Sequence, residues 1–222
     1  EYFKEIMRNK MIKAIISRTK RLCYKFGGGK NNIHGINILY KLQNVVISGC
    51  HNTIDVRSKL PKGVRIFVRG NNHKLIIEEG VIFKRGNIFF EDNDCEIYIG
   101  KGTTIEEADL SAAEDHAKLS IGDDCMFSKG IYISTTDSHS IISTSTGLRI
   151  NSAKDVNIKS HVWLGRNVTI NKGVTVSENS VIAGHSVVTK STPPNCVAAG
   201  VPAKVVKTEV DWDRKRIQLI SK

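Results

Sequence analysis

Branched aliphatic residues recur along this chain at an interval of six. From Ile158 the steps land on Leu164, Ile170, Val176, Ile182 and Val188. Two residues earlier a second series reads Val156, Val162, Val168, Val174, Ser180 and Ser186, and small or turn-forming residues follow each aliphatic. Neither a helix of 3.6 residues per turn nor an ordinary alternating strand produces that interval. A six-residue strand–turn unit does. Three such units close a triangular coil of 18, with the aliphatics stacked inward and Gly, Asn or Ser at the corners. The pattern predicts an all-β solenoid, a parallel β-helix held together by neighbour stacking. The register extends back to Ile121, Phe127 and Ile133, then more loosely to Ile77, Phe83, Phe89, Ile99 and Ile105. Around Val45 to Val68 it is ragged, as a cap on the stack would be.

The flanks read differently. Residues 1–26 form a basic stretch with an imperfect apolar stripe (Phe3, Met7, Met11, Ala14, Ile15, Leu22, Phe26), predicting a helix joined to the coils by Gly27–Gly29. Such a helix either caps the solenoid or lies on anionic lipid. The pattern thus divides the chain into a helix and linker over 1–29, a β-helix over 30–207 and a second helix over 208–222 with Trp212 and Ile217 packed on the coils. Between Ile133 and Ile158 the register slips by one residue. The Ser/Thr/Gly-rich segment STTDSHSIISTSTGLRINSAKD, 134–155, is therefore an excursion from the coil, and loops leaving a rigid scaffold carry function disproportionately.

Composition narrows the options. No stretch approaches the ~20 apolar residues of a membrane span, and the charged N-terminus lacks a signal-peptide core. Five scattered cysteines without a C-x-x-C pair indicate reduced thiols in a cytoplasmic protein rather than a disulfide framework. The formal charge of +11 asks for an anionic partner. Low aromatic content and the lack of a nucleic-acid-binding motif point away from nucleic acid, toward anionic small molecules, acidic polysaccharide or a membrane surface. No two histidines stand at a close ligand spacing, so no metal site is expected. A nucleotidyltransferase would need a nucleotide-binding domain that the first 70 residues are too short to supply.

The hexads, the segment DVNIKSHVWLGRNVTINKGVTV (155–176) and the ending SVVTKSTPPNCVAAGVPAKVV (186–206) resemble the hexapeptide-repeat acyltransferases, most of all bacterial polysaccharide O-acetyltransferases, including those acting on sialic-acid capsules. The resemblance covers most of residues 75–207. It implies a left-handed coil, a homotrimer with active sites between subunits, and acetyl-CoA as donor to a sugar hydroxyl.

Acetyl transfer needs a base for the hydroxyl proton, donors for the oxyanion and a cradle for the thioester. Imidazole, which titrates near neutrality, suits the base, and His139 is the histidine of the excursion. The resemblance, which places the family's catalytic histidine in this loop, singles it out. Asp137 either orients that ring or caps the turn as an Asx residue. His161 should face outward beside the groove, and His185 sits solvated at a turn. Trp163 precedes inward Leu164 and must project outward, where an indole wants a contact. The resemblance sets it beside the active site, against donor or acceptor. It also carries the coenzyme A contacts onto Arg166, Gly184, Thr189, Lys190, Lys204 and Lys207, the cations matching a pyrophosphate and a ribose phosphate. Transfer is then direct, without a covalent enzyme intermediate.

Overall fold

The computed structural model describes residues 30–37 and 43–218. The predicted N-terminal helix lies outside them. Among the described residues the chain winds into a parallel solenoid whose three faces are each a seven-stranded sheet. In chain order, the first face runs from the strand Asn32–His34 to Thr175–Val176, the second from Ile82–Phe83 to Ala203–Thr208, and the third from Val45–Ser48 to Val187–Val188. Pairing is parallel throughout except at the last strand, Ala203–Thr208, which folds back antiparallel on Cys196–Gly200.

The hexads behave as predicted. Val156, Ile158, Val162, Leu164, Val168, Ile170, Val174, Val176, Ile182 and Val188 are all buried. In this half neighbouring coils are offset by 18 residues, as in the pairing of Trp163 with Val181 and of Thr169 with Val187.

The amino-terminal half obeys another rule. Its coils are joined by hydrogen bonds between residues 21 or 22 apart, such as His73 N–H to Asn52, then Lys101 N–H to Asp123 and Cys125 N–H to Thr103. The second face keeps two inward positions per coil (Thr103 and Ile105, then Cys125 and Phe127). The first and third faces carry three (Cys95, Ile97 and Ile99; Ala108, Leu110 and Ala112). The added pair of residues on each of two sides widens the coil. It also corrects two expectations. Phe89 points outward while Ile88 and Phe90 fill the core, because the longer third-face strand alternates about a different residue. The segment Val45 to Val68 is no ragged cap but three regular strands, Val45–Ser48, Thr53–Val56 and Val64–Arg69, with Val45, Ile47, Ile54, Val56, Val64, Ile66 and Val68 buried.

Corners are turned by residues in the left-handed region, which Gly, Asn, Asp and His tolerate best. Between the first and second faces, Gly80, Gly102, Asp124, His161, Asn179 and Asn195 form one such column, all at positive φ. Each of the last five donates its N–H to a carbonyl of the preceding coil. The coils stack tightly enough that a Cβ at Gly165 would lie 2.6 Å from the Gly184 nitrogen.

The C-terminal segment differs from its predicted helix. After Thr208 the chain is irregular through residue 218 and is drawn over the column of left-handed corners. Trp212 is buried there as expected, whereas Ile217 is exposed. Contacts to four separate coils fix this segment in an extended path, which no helix could follow.

Candidate active site

The change in coil size and the loop coincide. Hydrogen bonds across this level join residues 37 apart, Lys118 to Asp155 and Asp123 to Ser160. The third-face strand Ile131–Ser134 is the last long one and Val156–Ile158, on the first face, the first short one. Residues 134–136 stay buried, and Thr135 exchanges hydrogen bonds with Ala113 of the wider coil. The true departure is therefore narrower than 134–155, beginning at Asp137. Where the solenoid steps from wide to narrow, the wider coil leaves a ledge, and the loop is seated on it.

Four residues staple the loop. Glu114, on the ledge, pairs bidentately with Arg149 at 2.6 and 2.9 Å, accepts the Thr136 hydroxyl and receives the Ala153 N–H at 3.1 Å. Buried Asn151 bridges the loop's two limbs. Its Nδ2 donates to Asp137 Oδ2 at 2.9 Å and to the His139 carbonyl at 2.8 Å, while its Oδ1 accepts the Ile141 N–H at 2.7 Å. Lys172, one coil higher, donates to Asp137 Oδ2 at 2.7 Å and to the carbonyls of Asn151 and Ser152. All three of its protons are used, so it is an anchor rather than a free anion receptor. Arg149, foremost, with Thr136 and the Ala153 N–H, holds the Glu114 carboxyl below the usual range, and Lys172 with Asn151 does the same for Asp137.

His139 stands exposed on this stapled loop, its N–H bonded to the Asp137 carbonyl at 2.8 Å and its carbonyl held by Asn151. The Asp137 carboxylate is turned to Lys172 and Asn151. It braces the loop through these two side chains, and neither bond reaches the His139 ring or a backbone N–H of the turn. Ser138, at φ 66°, lines a cleft of about 210 Å³ with Tyr132, Ser134, Thr136, Asp137, Ile170, Asn171 and Lys172. A larger concavity of about 600 Å³ lies at the far end of the solenoid between Arg57 and Lys84. Its charged lining residues are Arg57, Lys59 and Lys84, and it holds no histidine or carboxylate.

The other predicted residues fall on separate parts of the prism. Trp163 projects from the second face, 38% exposed. Arg166 and Gly184 occupy the corner between second and third faces, stacked through the His185 N–H to the Arg166 carbonyl at 2.7 Å. Thr189 and Lys190 follow the topmost third-face strand, Val187–Val188, at the corner the loop leaves. Lys204 and Lys207 lie on the last strand of the second face. Arg166, Lys190, Lys204 and Lys207 are all exposed. His161 is not a free groove residue: both its ring nitrogens are engaged, by Asp124 at 2.7 Å and the Trp212 carbonyl at 3.0 Å. His185 is exposed at a left-handed corner, as expected. Burial pushes the thiols of Cys95 and Cys125 up to about 12 and about 11, values that leave no reactive thiolate. Sequence reasoning missed Glu114, Arg149, Asn151 and Lys172.

No protein-family model matches the chain. A polysialic acid O-acetyltransferase of Neisseria meningitidis is 40% identical over 190 residues, covering 75% of this chain and 88% of that protein. One from Escherichia coli O1:K1 / APEC is 45% identical over 127 residues, 57% of this chain, but the match spans only 41% of its length. Among solved structures, the polySia specific acetyltransferase NeuO superposes with a TM-score of 0.64 at 32% identity, covering 78% of this chain and 89% of that one. The polysialic acid O-acetyltransferase OatWY gives 0.59 at 38% identity, covering 76% and 90%. On the strength of the repeat, the fold and the 40% identity over three quarters of this chain, it belongs to the hexapeptide-repeat acyltransferases, in the family of the polysialic acid O-acetyltransferases.

Proposed function

We propose that this chain transfers acetyl from acetyl-CoA to a sugar hydroxyl of a bacterial surface polysaccharide, a sialic-acid-containing capsule before a neutral O-antigen. The observation that carries the reading is a histidine held out on a loop that Asn151, Glu114, Arg149 and Lys172 staple at both ends. A base must be pre-positioned to act within hydrogen-bond reach of its proton. His139 takes the acceptor hydroxyl proton as the oxygen bonds to the thioester carbonyl carbon. A backbone N–H meets the oxyanion. The C–S bond then breaks, and the imidazolium returns its proton to the departing thiolate.

The donor's phosphates need cations that are not already spent. Arg166, Lys190, Lys204 and Lys207 are exposed, and Thr189 and the side-chain-free Gly184 lie beside them for the pantetheine. Trp163 offers an indole face to donor or sugar. Because these groups lie on different faces of one prism, the proposed site is gathered between subunits of a homotrimer of left-handed coils. The loop tip favours that arrangement, with Ile141, Ile142, Leu148 and Ile150 at least half exposed. The charge of +11 suits an acidic polymer, and residues 1–26 would serve either as a cap or trimer contact of a cytoplasmic enzyme or as a peripheral contact to the inner face of the membrane. Co-sedimentation with anionic liposomes checks that last point: equal binding after deletion of 1–26 removes it.

The function is tested by thiol release and acetyl mass gain with acetyl-CoA and, in turn, polysialic acid, a neutral O-antigen oligosaccharide and a nucleotide-linked amino sugar. Preferred acetylation of polysialic acid is expected. Higher kcat/KM on the nucleotide sugar would replace the polymer reading with a small-molecule one.

A further inference from the structure

Residues 209–214 descend the column of left-handed corners. The Val210 N–H bonds the Asn195 carbonyl at 3.1 Å. Trp212 Nε1 donates to the His161 carbonyl at 2.8 Å, and its indole stacks on the His161 ring at 4.3 Å, 10° from parallel. Arg214 reaches Asp124, Thr104 and the Cys125 carbonyl on coils below, with its guanidinium 5.6 Å over the Trp212 ring. One strap thus ties together coils that the sheets already join. A cap on the stack would not need this route down a corner.

What the route achieves is an aromatic contact. Trp163 lies two residues beyond His161, on a two-residue strand, and its ring centroid is 6.1 Å from that of Trp212 at an interplanar angle of 49°. Offset, tilted ring pairs at this separation attract. Trp212 is 8% exposed and Trp163 38%: one indole is fixed, and it covers a flank of the other. A lone outward indole on so short a strand would choose among rotamers.

We propose that the C-terminal strap is a positioning element of the reaction, with Trp212 and His161 as the residues that hold Trp163 in the orientation its substrate contact requires. The inference rests on the proposal that Trp163 lines the substrate groove. His161 is the latch. Both ring nitrogens face acceptors, Nδ1 the Asp124 carboxylate at 2.7 Å and Nε2 the Trp212 carbonyl at 3.0 Å, with Asp211 Oδ1 at 3.3 Å. Only the doubly protonated ring can donate to both. The charges facing it are Asp124 from the corner below and Asp211 and Arg214 from the strap, and Arg214 is itself paired with Asp124 at 2.9 Å. Burial alone would lower the pKa of His161, but Asp124, the Trp212 carbonyl and Asp211 together raise it above the ordinary value. The latch is therefore closed at low pH and opens as pH rises through that raised pKa.

The chain has only two tryptophans, so each can be watched alone. In Trp163→Phe protein, Trp212 emission is quenched by the stacked imidazolium and should rise with pH, with a midpoint above the ~6.5 of free histidine; His161→Asn, whose Asn tolerates the left-handed corner, should abolish the step. Steady-state kinetics with acetyl-CoA and polysialic acid then supply the decisive comparison. Trp163→Ala is expected to raise one of the two KM values, and Trp212→Ala should raise that same KM about fivefold or more. Trp212→Phe should restore it, and Trp163→Ala/Trp212→Ala should be no worse than Trp163→Ala alone. His161→Asn should move the same constant in the same direction, which keeps the test open should Trp212→Ala not fold. If Trp163→Ala loses activity while Trp212→Ala and His161→Asn leave both KM values unchanged, the strap is only a clasp and the proposal is overturned. If Trp163→Ala itself changes neither KM nor kcat, the reading of Trp163 is what has failed.

Discussion

The two halves of this solenoid build the same prism by different arithmetic. Below the loop, coils of 21 or 22 residues place three inward side chains on each of two faces, with Phe83, Phe90 and Phe127 filling the interior. Above it, coils of 18 place two inward side chains on every face, mostly Val, Ile and Leu. Only the second face keeps its hexad from end to end. The difference teaches where a loop can be added to a stack without loosening it. At the step from wide to narrow the lower coil projects beyond the upper one, and Glu114 and Thr135 on that ledge hold the loop carrying His139. The seam supplies the buried polar partners Thr135 and Asn151 for this loop, and the proposed site is placed there.

The largest effect should come from the seam's core. Phe127 is 1% exposed and pairs with Ile105 of the long coils below and Leu164 of the short coils above. Phe127→Ala should cost about 3–5 kcal/mol, measured by denaturant unfolding, and the loop should become protease-sensitive at lower denaturant than the rest of the chain. A loss below 1 kcal/mol would mean the two halves do not depend on each other there.

Next in size is the loop itself. Asn151→Ala leaves the Ile141 N–H and the His139 carbonyl without their partner, about 1–3 kcal/mol of local stabilisation. Expressed as misplacement of the base, that corresponds to a kcat roughly 10–100-fold lower with thermal unfolding little changed. An unchanged kcat would show that the staple does not position His139.

A smaller effect tests the short coils. Ile170→Val removes one buried methylene from a tightly stacked hexad and should cost about 1 kcal/mol, without effect on the loop's protease resistance.

The smallest prediction is acidic. Glu114 and Asp137 have carboxyls held below their ordinary range, so their ion pairs contribute stability above pH ~4 and lose it as pH falls through the lowered values. Cleavage of the loop by pepsin should accelerate only below that pH, and Lys172→Met should move the onset upward. A loop cut equally fast at all acidic pH values would mean the pairs do not hold it.

The upper half was legible in the sequence because an 18-residue coil repeats one six-residue rule, so Val156 through Val188 fell in phase. The lower half was not, since two added residues per side shift the phase and move Phe89 out of the core. The loop showed itself as a slip in register, with its lone histidine. Its staples did not: Glu114 lies 35 residues from Arg149, and Lys172 belongs to the next coil. The nearest sequence signal was an asparagine closing the excursion that an aspartate opens. The strap was hidden for another reason. Its path is set by a column of left-handed corners on four coils, while its own composition suits a helix equally well.

The central claim is that His139, held at the seam, is the base. It is tested most directly by kcat for acetyl transfer from acetyl-CoA to polysialic acid in His139→Asn protein, alongside its thermal unfolding and assembly state. The account predicts a kcat lower by about 10²–10⁴-fold with the fold and assembly of the parent. A correctly assembled His139→Asn enzyme that keeps most of its kcat would contradict it.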